Sequence, residues 1–266
     1  MSFIQSVLLG VLQGIAEFLP VSSSGHLVLA RAFMGLEEIP VLFDVILHLA
    51  TLVVVIWVFR ARIGAILAAL GRLVVRRNTP DDRDHLILAL QLVAASAATA
   101  VIGVGISMLD IRDDPVLVSA LLIATALVLV STILARGVRP LEQTGWRSAL
   151  IMGIAQGFGV FPGISRSGIT IASGLLSGLD RRAAGEFSFL LSIPAIFGAF
   201  LFSLKDAGDL ASSVPPLSLL GGFLAAMIAG YASLRLLLRL VAGGRLWIFA
   251  IYLVPVGVWS LVHFVS

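Results

Sequence analysis

GVLQGIAEFLPVSSSGH, residues 10–26, decides how this chain is read. It sets Gln13, Glu17, three serines and a histidine inside apolar sequence, where a lipid environment favours none of them. Shifted by 143 positions, GIAQGFGVFPGISRSGI, residues 153–169, lies on it without a gap. Gly10, Gln13, Gly14, Phe18, Ser22, Ser24 and Gly25 recur as Gly153, Gln156, Gly157, Phe161, Ser165, Ser167 and Gly168, and the match runs on to Gly35-Leu36 against Gly178-Leu179. The chain therefore reads as two halves, about 1–135 and 136–266, within one integral-membrane domain.

Outside these stretches the chain is more apolar than a soluble core can absorb: 59% of its 266 residues are hydrophobic and 12% charged, with a mean hydropathy of +1.08. The first residues, MSFIQSVLLG, show neither a basic leader nor a small-residue cleavage site, so they are expected to belong to the fold. With no cysteine, disulfides, thiol catalysis and cysteine-ligated metals are excluded. A pI near 10.2 comes from three net charges and reports membrane orientation, with no nucleic-acid partner implied.

A membrane-crossing helix needs roughly 20 mostly apolar residues. Val41–Phe59, Leu86–Leu109, Pro115–Ala135, Phe187–Leu204, Leu217–Leu234 and Leu246–Val265 qualify. Phe3–Leu36 and Arg147–Leu179 are apolar but broken by Pro20 and Pro162 and then by serine and glycine, so each reads as two half-helices around a polar turn. The expected fold is an all-α polytopic membrane protein, with six transmembrane helices and two re-entrant helical hairpins in an inverted-topology repeat. Charge supports this topology. If the first hairpin opens outward, fourteen basic residues, from Arg60 to Arg245, fall inside; Arg112 and Lys205 fall outside with Asp110, Asp113, Asp114, Asp206 and Asp209. Between the first two spans, Ile63, Ile66, Leu67, Leu70, Leu73 and Val74 recur at helical spacing among arginines, as in a helix lying on the cytoplasmic surface or packed on the bundle. Residues 78–84 read as a polar loop, with His85 also in a loop.

Gln13 and Glu17 share one helix face. Glu17 has three open roles: metal ligand, general base, or ion-pair partner of Arg166 across the repeat interface. The serine-glycine turns precede apolar helices, whose N-termini favour an anion. Ser22, Ser24 and Gly25, with Ser165, Ser167 and Gly168, are thus candidate substrate contacts. Arg166 stands where the first copy has Ser23, and a guanidinium pairs with phosphate in a bidentate way. Ser23 and His26 offer a nucleophile and a proton-transfer partner. Asp44 and His48, one helical turn apart, suit a supporting role around the site or a cation, or alternatively polar links between helices, and Gln156 belongs to the same outer group.

EFLPVSSSGHL (17–27) and PGISRSGIT (162–170) resemble the two signature motifs of the bacterial undecaprenyl-diphosphate phosphatase family, the bacitracin-resistance integral-membrane type; FDVILHL (43–49) and EFSFLLSIP (186–194) are also similar to family segments. The resemblance implies hydrolysis of undecaprenyl diphosphate to the monophosphate and inorganic phosphate, recycling the lipid carrier of cell-wall synthesis. It further implies Ser23 as nucleophile, Glu17 and His26 as acid–base positions, Arg166 as the phosphate-binding arginine, and dependence on a divalent cation, Mg2+ or Ca2+. Glu17 and Gln13 are then the candidate cation ligands, although the neutral Gln13 in the first acidic position weakens a two-carboxylate cage. The implied setting is the bacterial inner membrane with a site open to the periplasmic face; a homodimer is compatible with it. The competing reading is a secondary transporter or flippase for an anionic lipid phosphate, since inverted repeats with broken helices are also transporter architecture.

Overall fold

The computed structural model describes residues 1–34, 41–77, 79–109, 114–204 and 214–265. Those residues form helices and connecting turns, with one isolated bridge between Arg139 and Leu179 and no strand. In chain order the helices are α1 (Phe3–Phe18), α2 (Ser23–Met34), α3 (Val41–Val58), α4 (Arg60–Val74), α5 (Asp82–Ser107), α6 (Pro115–Ser131), α7 (Trp146–Phe158), α8 (Arg166–Leu176), α9 (Arg181–Ser203), α10 (Pro216–Ala242) and α11 (Ile248–Val265). Five of the described helices, α5, α6, α9, α10 and α11, are long and apolar enough to cross a membrane; α3 makes a sixth when joined to α4 across a 77° bend. The chain is a multi-pass membrane protein.

α1, α2, α7 and α8 are short. At 1.5 Å per residue they run roughly 16–24 Å, less than the ~30 Å of a hydrocarbon core. Each pair is a helix, a break and a second helix, as the two interrupted stretches predict. On α4 only a narrow stripe, Ile66 and Ala69, is buried, while Leu67, Leu70, Leu73 and Val74 are exposed.

The ends of several helices differ from the hydropathy limits. α5 begins at Asp82, four residues before Leu86, because the Asp82 carboxylate accepts from Thr79 N at 2.8 Å and pairs with Arg72. The polar loop is shorter than expected, and His85 lies on the helix. α9 starts at Arg181, where Asp180 caps it by accepting from Ala183 N at 2.8 Å. α10 continues to Ala242, so Arg235 and Arg239 sit on its last turns and not in a loop. Hydropathy is blind to such ends, since charged residues with a cap or a partner extend a helix into the polar zone. The expected outer-loop residues Asp110, Arg112, Asp113, Lys205, Asp206 and Asp209, and the Gly35-Leu36 end of the repeat match, lie outside the described residues.

Two kinds of contact bring the halves together. α1 packs tightly on α10, and α7 on α5. A methyl group on Gly10 would come 2.2 Å from Gly222 O, and one on Gly153 2.4 Å from Ala95 O, so glycine permits both backbone approaches. The turns themselves cross reciprocally. Gly25 faces Gly163, and Gly168 faces Pro20; Gly163 and Gly168 are the repeat counterparts of Pro20 and Gly25. α3 also packs on α9, and α6 on α11, which closes the bundle around the crossing.

Candidate active site

The site begins where α1 stops. Leu19 leaves the helix in an extended conformation, Pro20 cannot continue it, and Ser22 turns the chain with a φ of +70°. α2 then starts at Ser23. This break leaves Glu17, buried on the last turn of α1, facing the first residue of α2. Ser23 Oγ donates to Glu17 Oε2 at 2.7 Å, and Gln13 Nε2, one turn earlier on α1, donates to the same oxygen at 3.0 Å.

The second turn supplies the cation. Gly163 reverses the chain at φ +96°, Ser165 caps α8 by accepting from Gly168 N at 3.1 Å, and Arg166 is the first residue of that helix. Its Nη2 donates to Glu17 Oε1, while Nη1 is buried without a partner. From α3, His48 brings Nε2 to 3.3 Å from Glu17 Oε2, its Nδ1 bonded to Asp44 O at 2.8 Å. Because a carbonyl only accepts, Nδ1 carries hydrogen, and Nε2 is the ring nitrogen that faces Glu17. Asp44 pairs with Arg31.

These groups line a cavity of about 400 Å³. Glu17, Ser23, Ser24, Arg31, His48 and Arg166 make its polar end; Ala195, Ile196, Ala199 and Phe202 of α9 make an apolar wall. The N-termini of α2 and α8 both open on it, with backbone N–H groups and dipoles suited to an anion. Another cleft, of about 390 Å³ beside Arg62 and Glu186, has its charges already paired: Arg62 Nε donates to Glu186 at 2.7 Å and Nη2 to Glu142 at 3.1 Å.

The structure brings Glu17, Ser23 and Arg166 into contact, with Gln13 and His48 against Glu17. It does not pair Ser23 with His26. His26 Nδ1 lies 2.9 Å from Ser22 O and Nε2 2.8 Å from the Tyr252 hydroxyl, so both ring nitrogens are committed elsewhere. Most of the expected substrate serines instead tie the turns together. Ser22 Oγ accepts from Gly163 N at 3.1 Å and Gly25 N at 3.3 Å; Ser167 Oγ donates to Phe18 O at 3.2 Å. Gly25 and Gly168 are crossing points, and of the six Ser22, Ser24 and Ser165 line the cavity. Thr125 of α6, which no motif singled out, receives Ser165 N at 3.1 Å and donates to Gly163 O at 2.9 Å. Gln156 is remote from the cavity; its Nε2 holds Leu191 O at 3.1 Å and Thr99 Oγ1 at 3.3 Å.

The donor set does not fit a resident Mg2+ or Ca2+ on Glu17 and Gln13. Gln13, Ser23 and His48 crowd Glu17 Oε2, and Arg166 takes Oε1. The adjacent guanidinium also repels a cation. Beside Glu17, Gln13 Oε1 is a buried acceptor without a partner, and among the described residues no group of three His, Asp or Glu could hold a metal.

The profile of the bacitracin resistance protein BacA family matches residues 6–259. The chain belongs to that family. Similar proteins named undecaprenyl-diphosphatase include one from Treponema denticola, 44% identical over 268 residues, covering 99% of this chain and 98% of the relative. One from Desulforapulum autotrophicum is 41% identical over 275 residues, covering 98% of each. One from Methanobrevibacter smithii is 38% identical over 275 residues, covering 97% of this chain and 96% of the relative. Membership extends over almost all the described helices, so the turns, the α3 histidine and the α9 wall all lie within the matched region.

Proposed function

We propose that this protein is an undecaprenyl-diphosphatase, hydrolysing the lipid diphosphate to undecaprenyl phosphate and inorganic phosphate and so recycling the carrier for cell-wall synthesis. The observation that carries this reading is the hydrogen bond from Ser23 Oγ to Glu17 Oε2 at 2.7 Å, with Arg166 on the other carboxylate oxygen. A hydroxyl, a base for its proton and a guanidinium for the phosphoryl group share one cavity. The hydrolase names of the relatives favour cleavage over the transport reading, which needs neither the hydroxyl nor its base.

In the reaction, the terminal phosphoryl group rests on Arg166 Nη1 and the N-terminal amides of α2 and α8. Ser23 Oγ attacks its phosphorus, and the Ser23 proton passes to Glu17 Oε2. As the Ser–O–P bond forms, the bond to the bridging oxygen breaks and undecaprenyl phosphate leaves as an anion that needs no proton. Water then attacks the phosphoserine and the Ser–O–P bond breaks; one water hydrogen stays on the phosphate, the other passes to Glu17 as Glu17 returns the first proton to Ser23 Oγ, phosphate departs, and Glu17 releases the remaining proton to solvent. Arg166 and the amides offset charge on the transferring group, the main task in phosphoryl transfer. His48 Nε2 lies beside Glu17 Oε2, and the isoprenoid tail lies along the α9 wall. A divalent cation, were one required, would have to be supplied with the substrate and would offset diphosphate charge, since Glu17 and Gln13 are not arranged to hold it.

Around this site the two broken helix pairs are re-entrant hairpins of an inverted repeat. The shared sequence register, the odd number of spans between them and the reciprocal Gly25–Gly163 and Gly168–Pro20 contacts support that arrangement. The arginine-rich ends face the cytoplasm of a bacterial inner membrane, and the cavity serves the periplasmic face. Every group used belongs to one chain, so the chemistry does not require a homodimer.

Phosphate release from undecaprenyl diphosphate by purified protein in detergent, with and without chelator, tests the assignment. Release by the parent and its collapse in Glu17→Ala and Arg166→Ala are expected. Undiminished release in both variants, or tight binding without release by the parent, overturns it.

A further inference from the structure

Two guanidiniums line the cavity, Arg166 of α8 and Arg31 of α2. Both depart from the repeat: Arg166 stands where the first copy has Ser23, and Arg31 stands where the second copy has Gly174. Gly174 is buried against Met152 and Ala184, so the hairpin fold itself does not call for an arginine at that place. In the apolar run LVLARAFM, residues 27–34, a permanently charged side chain is costly and marks a working group.

Arg31 shares a helix face with Ser24, Leu27 and Val28, which also line the cavity. Its setting mirrors that of Arg166. Each side chain is 16% exposed, each rests on one carboxylate, and each keeps a buried nitrogen without a partner, Nη1 in Arg166 and Nε in Arg31. α3 ties the two sites together. Asp44, the carboxylate under Arg31, lies one turn before His48, whose Nε2 is 3.3 Å from Glu17 Oε2. The Arg31–Asp44 pair therefore sits about 6 Å along α3 from the His48–Glu17 contact. That interval suits the second phosphate of a diphosphate whose first is held at Ser23 by Arg166.

We propose that Arg31 holds the phosphate that stays with the lipid, and thereby makes the cavity selective for a diphosphate over a monophosphate. This rests on the phosphatase reading above, which puts the terminal phosphoryl group on Arg166. Asp44 balances the charge of Arg31 before substrate binds, and the guanidinium offers its remaining donors to the incoming oxygens. When the bond to the bridging oxygen breaks, its electron pair goes to the lipid phosphate, and Arg31 offsets the added charge.

Titration calorimetry on the full-length protein in detergent, with farnesyl methylenediphosphonate and farnesyl phosphonate as uncleavable probes, tests the inference. The parent should bind the diphosphonate at least about tenfold more tightly than the phosphonate. Arg31→Gln combined with Asp44→Asn replaces the ion pair by two neutral groups and leaves no lone charge. It should weaken the diphosphonate about ten- to a hundredfold, the scale of a lost charged hydrogen bond, and the phosphonate by no more than about twofold. Arg31→Lys should retain part of the preference, because the charge remains. A pair that only joins α2 to α3 would lower the unfolding temperature when removed and leave the preference intact. An unchanged preference in the double variant, equal losses for both probes, or a parent without preference would each overturn the inference. A parent that prefers the diphosphonate through Arg31 yet releases no phosphate from undecaprenyl diphosphate would uphold Arg31 and remove the phosphatase reading instead.

Discussion

The turn between α1 and α2 and the turn between α7 and α8 carry the same glutamine, phenylalanine, serines and glycine in register, but Glu17 stands in the first where Val160 stands in the second. The surroundings follow from that one exchange. Gln13 spends its amide N–H on Glu17, whereas its counterpart Gln156, with no carboxylate one turn away, bonds Leu191 O and Thr99 and joins α7 to α9 and α5. Ser23 and Arg166 occupy equivalent positions, each the first residue of its helix, and both converge on Glu17. The repeated turns thus meet in a single asymmetric site: one copy brings Glu17 and the Ser23 hydroxyl, the other the Arg166 guanidinium.

Breaking the asymmetry at its source should have the largest effect. Glu17→Gln keeps the shape but cannot take the Ser23 proton or pair as an anion with Arg166, and kcat for phosphate release should fall about 10²–10⁴-fold. Arg166→Lys keeps the charge and loses the planar fork, so a fall of roughly 10²-fold in kcat/KM is expected in the same assay. The turn geometry gives a smaller effect, read as stability. Gly163→Ala forces a side chain into φ +96° with its Cβ 2.5 Å from Val118 O, and thermal unfolding in detergent should register a loss of about 1–3 kcal/mol. The smallest effect separates the two glutamines. Gln156→Leu should cost about 1 kcal/mol of stability with kcat per folded enzyme unchanged, since it removes the bond to Leu191 O that joins α7 to α9. Gln13→Leu should do the reverse, lowering kcat severalfold with little change in unfolding.

The broken helices and the repeat register were legible in the sequence, and the meeting of Glu17 with Arg166 was one of three roles it left open for a carboxylate placed in apolar sequence. The orientation of His26 was not legible. Spacing places it one turn beyond Ser23 but cannot show that Ser22 O and a tyrosine on the last helix hold its ring away. Tyr252 itself looks like an ordinary aromatic of a spanning helix. Most of the turn serines looked like substrate contacts because local sequence does not reveal that Gly163 N and Phe18 O, from the opposite half, already occupy Ser22 and Ser167. His48 was legible only as a neighbour of Asp44; its closeness to Glu17 depends on how α3 packs beside α1. The polar starts of α5 and α9 escaped hydropathy because Asp82 and Asp180 act through caps and an ion pair.

The most direct test is acid-quenched turnover of undecaprenyl diphosphate radiolabelled in its terminal phosphate. The parent should retain label as phosphoserine at Ser23, and Ser23→Ala should retain none while its phosphate release falls by about 10³-fold or more. Release by Ser23→Ala at the parental rate, with no labelled serine in the parent, would contradict the assignment of Ser23 as nucleophile.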